Sequence, residues 1–111
     1  MVRVEGTSVQ ITRGDTARFM VTLLDREIPD DTEVIFTVKK KPWRHDEVVL
    51  QKNIPAFLNK VNVLLDTGET MLEPGEYVWD IRIKESYEDG YNVITPMSYG
   101  GFRVLEAIGD E

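Results

Sequence analysis

The sequence predicts an all-β protein, an antiparallel sandwich of about seven strands, and three observations carry that prediction. Apolar residues recur with period two in most segments, and the 3.6-residue spacing of a helix is nearly absent. Clusters of Gly, Pro and Asp separate these segments at regular intervals. The third observation is size: 111 residues and 12.8 kDa suffice for one domain with a modest core and leave no room for a second. Many short strands punctuated by turns favour two packed sheets over an α/β fold.

Strands are expected near residues 8–12, 15–24, 33–40, 47–52, 61–66, 75–85 and 91–105. In the second, Ala17, Phe19, Val21 and Leu23 share one face, opposite Arg18, Met20 and Thr22. Val34, Phe36 and Val38 repeat the rule against Thr37 and Lys39, and Val61, Val63 and Leu65 repeat it more weakly. The strongest case sets Tyr77, Trp79, Ile81 and Ile83 inward, with Asp80, Arg82 and Lys84 outward, as in a strand with one wet face. The last segment is interrupted by Pro96 and by Gly100-Gly101. Proline cannot donate to a ladder and paired glycines favour a bulge, so an edge strand that bends or changes partner is expected there. The domain then covers residues 1–105, followed by an acidic tail, 106–111.

Two turns narrow the architecture. Arg13-Gly14-Asp15 fills a tight turn between the first two strands, with Gly14 supplying backbone freedom and Asp15 able to bond the amides that follow. Farther on, Leu72-Glu73-Pro74-Gly75-Glu76-Tyr77 joins an apolar anchor to a Pro-Gly reversal and a tyrosine that opens the strongest strand. Leu72 is expected to plug the end of the sandwich. Tyr77 is placed to bond back to the crossover, as in the tyrosine corner of immunoglobulin-like sandwiches. The expected fold is therefore an immunoglobulin-like β-sandwich.

Composition excludes several classes. The chain is 41% hydrophobic, 30% charged and 9% aromatic, which is neither a disordered tail nor a collagenous repeat. It has no cysteine, so disulfides, thiolate nucleophiles and Cys-ligated metals are absent. Thirteen Lys+Arg against twenty Asp+Glu give a formal charge of -7 and a pI near 4.7, which disfavours a nucleic-acid partner. No stretch approaches the roughly 20 apolar residues of a membrane span. The opening Met1-Val2-Arg3-Val4-Glu5-Gly6 lacks the apolar run of a signal peptide, so no membrane or export role is expected.

Chemistry-bearing residues are sparse. His45 is the single histidine, and it sits beside Trp43, Arg44, Asp46 and Glu47 without the spacing of a metal site or a Ser-His pair. The acidic pairs Asp30-Asp31, Asp46-Glu47 and Glu88-Asp89 fall in turns and lack the pattern of a calcium loop. No catalytic residue, metal or cofactor is expected. Lys39-Lys40-Lys41-Pro42-Trp43-Arg44 forms the one basic cluster, suited to discouraging edge pairing or to meeting an acidic neighbour. Trp43, Tyr87, Tyr91 and Tyr99 could form a platform for sugar stacking, although they lie on different segments.

Several segments, in order, carry a resemblance. Ile11-Thr12-Arg13-Gly14-Asp15-Thr16-Ala17-Arg18-Phe19, then Val21-Thr22-Leu23, then Glu33-Val34-Ile35-Phe36-Thr37-Val38-Lys39-Lys40, are followed by Leu72–Ile81 and a closing Gly101-Phe102-Arg103-Val104. Together they resemble small bacteriophage or prophage structural proteins, similar to N-terminal domains of phage baseplate and tail-associated proteins. The resemblance implies a non-enzymatic building block of a virion, in the particle or in the bacterial cytoplasm. Its partners would be other virion proteins or further copies of itself. Trp43, Arg44, Pro96, Gly100 and Gly101 are the expected contact residues, and a carbohydrate-binding module is the alternative.

Overall fold

The computed structural model describes residues 2–23, 27–28, 32–41, 47–87, 90–96 and 99–108. Among them are ten strands and no helix: β1 (Val2–Glu5), β2 (Ser8–Thr12), β3 (Ala17–Thr22), β4 (Glu33–Lys39), β5 (Val48–Asn53), β6 (Ala56–Phe57), β7 (Lys60–Leu65), β8 (Gly75–Tyr87), β9 (Gly90–Ile94) and β10 (Gly100–Leu105). The larger sheet runs β1-β2-β10-β8-β4-β5, with β9 also on β8, and the smaller runs β3-β7-β6. All pairings are antiparallel except β2 with β10.

The period-two pattern produces the core directly. Val9 and Ile11, Val34, Phe36 and Val38, Tyr77 to Ile83 in alternation, and Phe102 and Val104 face inward from the larger sheet. Ala17, Phe19, Val61, Val63 and Leu65 answer from the smaller one, and all belong to one buried cluster. Phe19, Phe36, Trp79 and Phe102 meet at its centre, with ring centroids 5.7–6.3 Å apart in edge-on or tilted arrangements that aromatic quadrupoles favour. The structure is thus a two-layer β-sandwich, as the alternation predicts.

Three details depart from expectation. There are ten strands rather than about seven, because β1 and the two-residue β6 are too short to leave a periodic signal. The single closing strand expected over 91–105 is two strands, β9 and β10. Ile83 and Lys84 pair with β4 on one side and β9 on the other, so β9 and β10 follow one another along the same side of β8. Pro96 lies in the break between them. The chain keeps β8 as its partner across the break, and β10 is no edge: it is held by β8 on one side and by β2 on the other. The edges of the larger sheet are β1 and β5, with the short β9 open on its outer side as well.

Candidate functional site

The two predicted turns lie together at one end of the sandwich. Asp15 N donates to Thr12 O at 3.1 Å and Gly14 takes φ +85°. Arg13 N donates to Leu105 O at 2.8 Å, while Arg13 Nε is buried without a hydrogen-bond partner. The fully buried Thr70 sends its hydroxyl to Asp15 O at 2.7 Å, locking this turn to the one that follows β7. Leu72 packs against the core, partly buried, and Pro74 is exposed at the bend before Gly75, whose φ is +154°. Tyr77 Oη donates to Glu73 O at 2.6 Å, the back-bond expected of a tyrosine corner. Burial, and then the charge of Glu73, raise the Tyr77 hydroxyl above its ordinary pKa. Arg13, Gly14, Asp15, Leu72, Pro74, Gly75 and Tyr77 therefore form one structural end.

The expected contact residues are dispersed. Trp43 and Arg44, like His45, lie outside the described residues. Gly100 is buried: a Cβ there would meet Thr7 O and stand 2.7 Å from Trp79 Nε1, just where the indole donates to Thr7 O at 2.9 Å. Its glycine is required by packing. Gly101 is exposed, on the outer face of the larger sheet, and Pro96 stands at a cleft on the open side of the sandwich.

Two concave surfaces result. The first is a groove of about 640 Å³ on the outer face of the larger sheet, where Arg3, Lys40, Lys41 and Arg103 meet Glu5, Glu76 and the half-exposed Tyr99. Arg103 Nε stands 4.0 Å from Glu76 Oε1. On the same face Asp80 is pushed above its ordinary pKa by burial, with Arg82 and Lys39 pulling it back. The second is a cleft of about 500 Å³ between the edges of β1 and β3, floored by Phe19 and Trp79 and rimmed by Val4, Met20 and Pro96. Val4 and Met20 are 46% and 52% exposed, so this rim is apolar and wet at once.

Beside that cleft is a feature the sequence gives no hint of. The β6–β7 hairpin closes through Leu58 and Asn59, and Leu58 sits at φ +57°, where a side chain costs about 1–2 kcal/mol. The comparable two-residue turn between β1 and β2 uses Gly6 at φ +61°. Leu58 is 51% exposed and its neighbour Phe57 is 73% exposed. The tip is nevertheless tied to the segment that follows β3. Leu23 N donates to Asn59 O at 2.7 Å, Asn59 Nδ2 to Leu23 O at 3.0 Å, and Ile28 N to Leu58 O at 2.7 Å.

Among the described residues no three His, Asp or Glu gather to hold a metal, and no helix is long and apolar enough to cross a membrane. No family model matches this chain, and no curated protein matches it.

Proposed function

We propose that this chain is a non-enzymatic structural component of a phage or prophage particle, working by protein–protein assembly on an immunoglobulin-like sandwich. The observation that carries the assembly reading is the exposed apolar rim of the cleft between β1 and β3. Val4 and Met20 rim an open cleft, and Phe57 and Leu58 crown the hairpin beside it. An exposed apolar rim around a cleft on a small domain marks an interaction site. Pro96, one of the contact residues the sequence points to, lies on that cleft. The phage assignment rests on the resemblance of the Arg13-Gly14-Asp15 and Leu72–Ile81 segments. The immunoglobulin-like assignment is supported by the strand order, the parallel β2–β10 pair and the Tyr77 back-bond.

A tagged copy of the chain, expressed in its own host, is expected to sediment with virion-sized particles and to be found in them by mass spectrometry. Its absence from such particles would remove the phage assignment. The groove with Tyr99 favours a second reading, a carbohydrate-binding surface, because an exposed aromatic there stands among hydrogen-bonding side chains. Saturable binding on a glycan array, lost in Tyr99→Ala, would establish that reading in place of the first.

A further inference from the structure

We infer that the groove on the outer face of the larger sheet binds an anionic polysaccharide, a chain of hydroxylated rings that carry carboxylates at intervals. This deepens the carbohydrate reading of that groove and rests on it. Strand register builds the site row by row. Arg3, Gln10, Arg103 and Glu76 stand opposite one another across β1, β2, β10 and β8. The next row is low in the middle, with Ser8, Gly101 and Val78 between Glu5 on β1 and Lys39 on β4. Beyond it Tyr99, two residues before Gly101 and on the same face, is 56% exposed. The result is a trough with a cation-bearing wall, a floor of small residues and an aromatic ring on the far side. It crosses β1, β2, β10, β8 and the end of β4, about 19 Å at ordinary strand spacing.

Gly101 points to a ligand. Glycine weakens a strand interior, and here neither backbone nor packing calls for it: its φ is not positive, and a Cβ would meet nothing nearer than Ser8 Oγ at 3.8 Å. A strand glycine of this kind leaves the floor open to close approach. Charge then selects the ligand. In a chain of net charge -7, Arg3, Lys40, Lys41 and Arg103 gather along this groove, and guanidiniums grip carboxylates with paired N–H donors. Glu5 and Glu76 stand among them. A polymer charged at every unit, such as nucleic acid or polyglutamate, meets repulsion there, whereas sugar hydroxyls donate to those acids. The backbone groups of β2, β10 and β8 are taken by neighbouring strands on both sides, so an extended peptide finds no ladder to join. A sugar needs none: its hydroxyls bond side chains such as Ser8 and Gln10, and its apolar ring face lies on Tyr99.

A glycan array of uronate-bearing and neutral chains, carrying galacturonic-acid oligomers, their neutral methyl esters and polyglutamate, tests this on the whole chain. Uronate-bearing glycans are expected to bind, less tightly as salt is raised, and the methyl esters about tenfold or more weaker. Arg103→Gln should weaken uronate binding by about tenfold or more, the loss of a charge-assisted pair. Gly101→Val should abolish it while leaving the thermal midpoint unchanged or higher, because a β-branched residue suits the strand it fills. Arg103→Gln removes only a loose, exposed ion pair from the fold, so it decides the matter alone if Gly101→Val fails to fold. Uronate binding indifferent to these substitutions overturns the inference. So does polyglutamate bound as tightly as the uronate oligomer, which would assign the groove to acidic peptides. Neutral glycans bound in preference to acidic ones overturn it and leave the carbohydrate reading standing, while an array with no bound glycan removes both.

Discussion

At position 100 a single methyl group separates a sound fold from a damaged one. An alanine would drive into Thr7 O and displace the Trp79 indole from its hydrogen bond. Gly100→Ala is expected to cost about 2–3 kcal/mol in urea unfolding, as overpacking plus a lost buried hydrogen bond. The adjacent Gly101→Ala, with only Ser8 Oγ near at 3.8 Å, serves as the mild control. Asp80 supplies a pH-dependent case. Burial raises its pKa from 3.8, so the folded state holds this proton more tightly than the unfolded one. Stability therefore falls as pH rises from 3.8 through the folded pKa, and the charged form is a net burden at neutrality. Asp80→Asn should raise the melting temperature at pH 7, and the gain should vanish in scans below pH 3.8. Tyr77 was legible because Pro-Gly followed by tyrosine has a specific geometry. Leu58 was not, because leucine carries no turn signal and its left-handed conformation is imposed by bonds from Leu23 and Ile28.

Strands were legible where one face is buried and the other wet, as in β3, β4, β7 and β8, since alternation is the direct imprint of a two-layer core. The break at Pro96 was legible too, but the interior place of β10 between β2 and β8 was not, because strand pairing depends on distant strands. Also hidden was the clip that fastens edge strand β5 to the turn after β7. There Asp66 Oδ1 accepts from Glu69 N at 2.8 Å, and Glu69 Oε1 accepts from Asp66 N at 3.0 Å, the reciprocal bonding of a capping box. Lys52 Nζ completes it, donating to Glu69 Oε1 at 2.8 Å and to Leu64 O at 2.9 Å. The clip thereby joins the two sheets. Its ions are partly exposed, so Lys52→Met should cost only about 1–2 kcal/mol. Hydrogen exchange should show β5 amides losing protection before those of β8; uniform loss would mean the clip has no local role.

Across the whole molecule, the core follows from alternation but the interaction surfaces do not. A surface has no period to read: Val4 and Met20 come from two strands and rim one cleft only when the sandwich closes. The same holds for charge. The chain is acidic by seven units, yet Arg3, Lys40, Lys41 and Arg103 converge on one groove. Net charge bounds the class of partner, while placement decides where that partner would sit.

The parallel pairing of β2 with β10 sets a timetable for the nascent chain. β2 leaves the ribosome early, but the strand that ties it and β1 to the rest of the larger sheet is made roughly 90 residues later, on the order of 5–20 s at ordinary synthesis rates. For that interval the β1–β2 hairpin lacks its strand partner in the larger sheet. The wall of the cleft therefore gains its strand partner only once the C-terminal strand has been made.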